Sequence, residues 1–510
     1  MTPTELRAVL PGGSRVHLPP QAGEGLNPKG HPVVEVQLGD VTHDSRQAGP
    51  GVLFACRPGQ RVDGHDFAGQ AVAAGSPALL VERLCDLPVP QIVVSSVADV
   101  LGHAAAAIHG YPSRALTLVG VTGTNGKTTT THLLESAFRA AGHVTGLIGT
   151  VQTRVAGQAV PGVRTTPEST DLQRLLARMV SAGATAAAME VSSHGLALGR
   201  VAGTSFAVAV FTNLSQDHLD FHADLEDYYA AKARLFLPAH TQAAVVNVDD
   251  PWGHRLAAAA PVPVLRVSLS GAAEDADVTA LDADEGPEGW TITVACAGMR
   301  LRLRTRLLGR FNAENALCAL AAAHAAGIDL DAAAAGIAAL DGVPGRMERV
   351  DAGQPFTVLV DYAHTPDSVA HVLSAARSLA GHKRVLVVVG CGGDRDPTKR
   401  PLMGRVAAQL ADFVVLTSDN PRSEDPLAIL DMMASGARAV PGATWAIEPD
   451  RRAALALALQ QADPGDVVVI AGKGHEPYQT IADRTMPFDD RLVARELLGA
   501  IGVAAGGAGA

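Results

Sequence analysis

The stretch Leu116-Thr-Leu-Val-Gly-Val-Thr-Gly-Thr-Asn-Gly-Lys-Thr-Thr129 constrains the fold of this chain more than any other. An apolar strand predicted over Leu116–Val121 runs into a glycine-rich turn. A helix then starts near Lys127, with Leu134, Phe138 and Ala141 on one face. Glycines let successive backbone N–H groups converge on an anion, and the helix start adds the positive end of its dipole. In this arrangement Lys127 meets the β and γ phosphates of a nucleotide, and the Thr128 hydroxyl suits Mg²⁺. The spacing departs from the general Walker pattern, because five residues separate Gly120 from Gly126 and Val121 stands where the first glycine is usual. Glycines at 120, 123 and 126 form a narrower signature. A nucleotide is the expected ligand.

The rest of the chain repeats the strand–helix alternation of α/β architecture with parallel sheets. Predicted strands are Gly51–Ala55, Ala78–Val81, Gln91–Val94, Ala186–Val191, Ala207–Phe211, Ala243–Val248, Thr357–Val360, Arg384–Val389, Phe413–Thr417 and Asp466–Ile470. Many are apolar on successive residues, as required when helices cover both faces. A length of 510 residues exceeds one core and corresponds to roughly three or four units. Three zones are expected, at residues 1–113, 114–345 and 346–510. They read as an N-terminal α/β domain, a central P-loop-type domain with a mostly parallel sheet, and a C-terminal Rossmann-like domain. Ala272–Gly289 reads as a polar insertion, and the Gly/Ala-rich tail Gly502–Ala510 as disordered. No internal repeat is visible.

A net charge of −11 and a sequence pI near 5.9 leave no basic excess for nucleic acid. The five cysteines Cys56, Cys85, Cys296, Cys318 and Cys391 lack metal spacing and read as reduced thiols. Neither a signal peptide nor a membrane span is visible, so a cytoplasmic location is expected.

Several further segments carry polar residues at strand ends. Glu190, in Met189-Glu-Val-Ser-Ser-His194, suits a hard cation at the mouth of a parallel sheet. Phe211-Thr-Asn-Leu-Ser-Gln-Asp-His-Leu-Asp-Phe-His222 is a second such strand end. Lys232 lies on a helical pattern, where a lone lysine is ordinarily a solvated residue. Asn247-Val-Asp-Asp250 reads as structural. Asn312 alone reads as a helix N-cap.

Gly123–Thr129, with these later motifs in matching order, resembles the ATP loop of the Mur ligases and their relative folylpolyglutamate synthase. The resemblance covers nearly the whole chain apart from about the first 30 residues and the tail. It implies an ATP-dependent amide-forming ligase of peptidoglycan assembly, expected as a monomer. By this resemblance ATP contacts Gly123, Thr124, Asn125, Gly126, Lys127, Thr128, Thr129, Asn312, Asn315, Arg346 and Asp361. Mg²⁺ falls to Thr128, Glu190, His218 and Lys232, the last as a carbamate; Lys127, Lys232, His218 and Arg346 are the catalytic candidates. A UDP-linked muramoyl dipeptide is assigned to Ser45, Thr165, Thr166, Ser192 and Arg200, with Gly59–Gly64 as a companion loop to Ser45.

The acceptor amino acid implied is meso-diaminopimelate, at Arg395, Asp419, Asn420, Pro421, Arg422, Gly472 and Glu476. Asp419-Asn-Pro-Arg422 is the family pattern linked with that acceptor, and lysine-adding relatives usually lack its arginine. Diaminopimelate is lysine with an extra carboxylate on the distal carbon, which a guanidinium can clamp. The alternatives are lysine addition, folylpolyglutamate synthesis, a P-loop kinase or nucleotide switch, and an inactive scaffold. Arg422 and the uridine-type segment Val41-Thr-His-Asp-Ser-Arg46 around Ser45 weigh against the first two.

Overall fold

In a computed structural model of the chain, the described residues are 1–11, 13–18, 36–59, 62–162, 164–273, 275–286 and 288–507. They build three α/β layers around three large sheets, and a fourth sheet is the two-stranded hairpin Tyr478–Ile481 with Arg484–Pro487. The first sheet runs in the order Arg15–His17, Gln91–Val93, Ala78–Val81, Val52–Ala55, Asp40–Thr42, with only the Arg15–His17 edge antiparallel. The central sheet is parallel from Val278–Gly286 through Val264–Ser268, Thr241–Asn247, Phe206–Phe211, Thr117–Thr122 and Ala186–Glu190 to Thr145–Ile148. Antiparallel strands continue it at both edges. In the third sheet, Thr357–Asp361, Val467–Ala471, Val385–Val389, Phe413–Leu416 and Trp445–Ile447 are parallel.

The predicted strands are present, shifted by no more than two residues at either end. Their unbroken hydrophobicity has a direct cause. Val119 and Val121 pack on one face of the central sheet with Leu134 and Phe138, while Leu118 packs on the other with Met189. Successive side chains of a strand point to opposite faces, so a strand covered on both sides must be apolar throughout.

Two expectations are corrected. The segment read as a polar insertion is largely strand Val278–Gly286, paired antiparallel with Gly289–Cys296. Val278 and Ala280 face the core while Leu281 is exposed, so one-sided burial gives it a polar composition. The chain from Asp490 to Gly507 is one helix, which takes in most of the tail expected to be disordered; 508–510 lie outside the described residues. Also outside them are Gln60 and Arg61 of the companion loop, and 19–35 of the N-terminal zone. Among the described residues, no helix is long and apolar enough to cross a membrane.

The three layers touch through specific polar contacts. Asp40 of the first sheet accepts from Arg174 Nε of the central layer at 2.9 Å. Within the last layer, the closing helix is fastened by Arg451, which donates to both carboxylate oxygens of Asp490 at 2.8 and 2.7 Å. Both side chains are fully buried. Removing one partner of such a pair leaves an uncompensated charge, at about 3–5 kcal/mol. Asp490→Ala is therefore expected to lower the stability of this layer by about that amount, read as an earlier denaturant midpoint for its unfolding.

Candidate active site

Strand Thr117–Thr122 delivers the chain to a tight loop, and helix Lys127–Ala140 begins immediately after Gly126, whose φ is +87°. A Cβ at Gly123 would lie 1.9 Å from Thr212 Oγ1, and one at Gly126 2.2 Å from Asn315 Oδ1. The neighbouring strand end grips the loop from the side. Thr212 Oγ1 donates to the Asn125 carbonyl at 2.6 Å, and Asn213 Oδ1 accepts from Asn125 N at 2.9 Å. The loop is thus fixed in shape by its protein neighbours.

Two lysines converge on it. Lys127 Nζ donates to the carbonyls of Gly123 and Thr124, both at 2.9 Å. Lys232 Nζ donates to the same Gly123 carbonyl at 2.7 Å and lies 4.3 Å from the Tyr228 ring centroid. Lys232 is only 1% exposed, contrary to the solvated position usual for a helical lysine. Burial lowers the pKa of both amines; for Lys232 the neighbouring Lys127 charge pushes the same way, against Asp217. Arg346 adds a third cation, donating to Thr128 Oγ1 at 3.0 Å.

Glu190 closes strand Ala186–Glu190 and is 1% exposed. Its carboxylate is oriented by Thr150, whose N–H and hydroxyl donate at 2.8 and 3.0 Å. His218 has φ +57°, and burial holds its pKa down at about 3, so the ring is neutral at ordinary pH. Its ring packs edge-on against His194 at 4.8 Å. Among the described residues, no three His, Cys, Asp or Glu side chains are spaced to hold a metal ion by themselves.

These groups line one cavity of about 760 Å³, together with Thr165, Thr166, Ser192 and Arg200. Thr166 Oγ1 donates to the Glu190 carbonyl at 3.1 Å, and Arg200 pairs with Glu168 at 2.9 Å. Asn315 lines the cavity as well. Asn312 does not; its amide donates to the Leu308 carbonyl at 2.8 Å, and its oxygen accepts from Asn315 at 3.2 Å. The N-cap of helix Arg310–Ala325 is Gly309, which corrects the capping role expected of Asn312. Asp361 is buried, accepts from the N–H groups of Met347 and Ala363, and has its pKa raised by burial. Ser45 sits in a short 3₁₀ turn, Ser45–Gln47, away from the cavity lining. Asp250 caps helix Pro251–Ala259, and Asn247, Asp249 and Asp250, read as structural, also line the cavity.

The remaining candidates gather at the strand ends of the third sheet. Asn420 Nδ2 donates to Glu476 Oε2 at 2.8 Å. Tyr362, which lines the cavity, donates from its hydroxyl to Glu476 Oε1 at 3.4 Å. Arg422 has φ +52° and donates to the Gly393 carbonyl at 2.6 Å. A Cβ at Gly392 would lie 2.9 Å from Arg422 Nη1 and 3.9 Å from Arg395 Cγ, so both arginines flank that glycine. Arg395 reaches the cavity. Pro421 belongs to the same loop, and its carbonyl approaches Gly393 closely. Cys391 is buried against Met403 Sδ at 3.3 Å, with its pKa pushed up to about 12, so it is an inert thiol.

Sequence reading missed the groups that join the central and last layers. Asp367 accepts from Asn125 Nδ2 at 3.0 Å and Ser215 Oγ at 2.9 Å. Asp217 faces His364 at 3.7 Å and Lys399 at 3.8 Å. Asp217 precedes His218 in a motif already singled out, but nothing local marks Asp367 as more than a first-turn helix acid.

Models of three Mur ligase segments match the chain in order: the catalytic domain at residues 38–109, the middle domain at 121–323 and the glutamate ligase domain at 345–474. A UDP-N-acetylmuramoyl-L-alanyl-D-glutamate–2,6-diaminopimelate ligase of Streptomyces coelicolor is 50% identical over 472 residues, 91% of this chain and 92% of that one. The ligase so named from Geobacillus thermodenitrificans is 48% identical over 459 residues, 89% and 93% of the two chains. A solved structure bearing the same enzyme name aligns with a TM-score of 0.65 at 35% identity, covering 92% of this chain and 98% of that one. The MurF ligase of Thermotoga maritima in complex with ADP aligns at 0.60 with 18% identity, covering 91% and 97%, a likeness of fold. On matched segments that follow the layers in order, and on half identity across nine-tenths of its length, the chain belongs to the Mur ligase family.

Proposed function

We propose that this ligase joins meso-diaminopimelate to the D-glutamyl carboxylate of UDP-N-acetylmuramoyl-L-alanyl-D-glutamate at the expense of ATP. The observation that carries the acceptor is the polarity of the last layer's corner. Arg395 and Arg422 flank Gly392, while Asn420 and Tyr362 orient the Glu476 carboxylate. The distal end of meso-diaminopimelate is itself an amino acid, one ammonium and one carboxylate on a single carbon. It meets a cation pair and an anion together. Lysine offers only the ammonium and leaves the guanidinium charge unanswered.

The phosphates of ATP lie on the N–H groups of Gly123–Thr129 with Lys127 and Arg346 around the γ group, where fixed cations stabilise charge that develops as the phosphoryl moves. The γ P–O bond to ADP breaks as a D-glutamyl carboxylate oxygen bonds to phosphorus, giving an acyl phosphate. The acceptor amine then attacks the acyl carbon, and the C–O bond to phosphate breaks as the amide forms. Thr165, Thr166, Ser192 and Arg200 border the place from which the peptide carboxylate enters, with Ser45 reaching the uridine end. Holding the reactants in line is worth up to about 7–11 kcal/mol in favourable cases.

Mg²⁺ fits the donor set here. Glu190 is an oriented, buried carboxylate, His218 is neutral, and the Thr128 hydroxyl stands beside the loop. Two carboxylate-like donors would be available once Lys232 carries a carbamate, a reaction that needs the unprotonated amine its burial favours. The ion supplies charge neutralisation of the phosphates when bound.

In steady state, orthophosphate release is expected to require the UDP-dipeptide and an amino acid together. Release at full rate without the amine would leave a kinase or nucleotide switch. Diaminopimelate is expected to exceed lysine in kcat/KM by about 10–100-fold, the equivalent of 1–3 kcal/mol for an unpaired buried charge. Arg422→Ala should erase most of that preference through the diaminopimelate KM, and equal kcat/KM for both acceptors in the unmodified enzyme would refute the clamp. With ¹³C-bicarbonate, a carbamate resonance is expected that Lys232→Arg abolishes; its persistence in that variant would exclude Lys232 as the modified residue.

A further inference from the structure

Behind the acceptor loops lies a set of buried charges that the bond-making steps do not use. Lys473 is 0% exposed. Its Nζ donates to the Tyr478 carbonyl, stands 3.7 Å from Glu476 Oε2 and faces Asp419. Arg451 donates to the carbonyls of Ser418 at 3.3 Å and Ala471 at 3.0 Å. These residues stand immediately before Asp419 and Gly472, so the guanidinium braces both acceptor loops from below. The loops are packed against each other, since a Cβ at Gly472 would lie 2.5 Å from Asp419 Oδ2.

An ammonium buried without need is costly, and an apolar side chain of similar volume would fill the space with less penalty. The chain nevertheless places a lysine there, against one of the carboxylates that orient the acceptor. With Lys473 and Arg451 as cations and Asp419, Glu476 and Asp490 as anions, the cluster keeps one negative charge in excess.

We propose that Lys473 is a positioning residue of the acceptor site, whose buried ammonium keeps Glu476 ionised and fixed to receive the distal ammonium of diaminopimelate. This rests on the acceptor reading above. Glu476 is faced by Asp419, Lys473, His364, Tyr362, Tyr478 and Arg451. Burial and Asp419 push its pKa up, whereas Lys473, the Asn420 amide and His364 pull it down. Without Lys473 the carboxyl climbs further, and its ionised fraction at a given pH falls. A protonated carboxyl has no charge to offer an ammonium, and raising the pH ionises it again.

The experiment measures KM for diaminopimelate and for ATP in the intact enzyme, in Lys473→Met, Glu476→Gln and the double variant, at about pH 7 and about pH 8.5. At the lower pH, Lys473→Met is expected to raise the diaminopimelate KM about tenfold or more, the scale of a lost charge-assisted contact. The ATP KM should stay within about twofold. The defect should shrink several-fold at the higher pH, and the double variant should be no worse than Glu476→Gln alone. An unchanged diaminopimelate KM, an equal rise in both KM values, a defect independent of pH, or full additivity would each overturn the proposal. If Lys473→Met does not fold, ¹³C-lysine titration of the unmodified enzyme and Glu476→Gln replaces it. The Lys473 pKa must fall when the carboxylate is removed, and an unchanged value sinks the coupling. Failure of the unmodified enzyme to turn over diaminopimelate at all would instead sink the acceptor reading.

Discussion

Two lysine amines share the carbonyl of Gly123 in a buried pocket, with Arg346 close behind. No arrangement of like charges in a protein interior is favourable by itself, because desolvation and mutual repulsion both oppose it. The lowered pKa values of Lys127 and Lys232 are the signature of that conflict. In the proposed reaction a polyphosphate would relieve it for Lys127, and a carbamate for Lys232. The strand–loop–helix unit thus carries an electrostatic cost that a bound anion would offset, as the proposed reaction requires.

Everything else in the site is arranged around that point by two sheets rather than one. The carboxyl ends of the central strands supply Glu190 and the Thr212–Asn213 grip on the loop, as expected where ligands meet open parallel sheets. The last layer supplies Arg346, Asp361 and the acceptor corner. Asn125 with Asp367, and Asp217 with His364 and Lys399, tie the two layers across the cavity. In the proposed reaction, phosphate and acceptor would meet in one space through contacts that lie outside either loop, which is how a domain arrangement becomes part of catalysis.

The sequence disclosed the parts of this that follow from local rules. Unbroken apolar runs such as Val385–Val389 specified strands covered on both faces, and Gly123-Thr-Asn-Gly-Lys127 specified an anion loop at a helix start. What stayed hidden depended on long-range packing. The burial of Lys232 contradicts the ordinary behaviour of a helical lysine, and only the family resemblance pointed to it. Strand Val278–Gly286 looked like an insertion because only one of its faces is buried, which leaves its other positions polar. Asn312 looked like a cap because nothing in its neighbours reveals that Gly309 starts the helix one turn earlier. Asp367 acquires meaning only when Asn125 and Ser215, far along the chain, stand beside it.

The central claim is that the terminal phosphoryl group of ATP passes to a carboxylate oxygen of the peptide before the amide forms. The most direct measurement uses UDP-dipeptide carrying ¹⁸O in the D-glutamyl side-chain carboxylate and follows the label by mass spectrometry of the orthophosphate released. One labelled oxygen appearing in each orthophosphate is the predicted result. Orthophosphate free of label, with amide formed at the normal rate, would contradict the account.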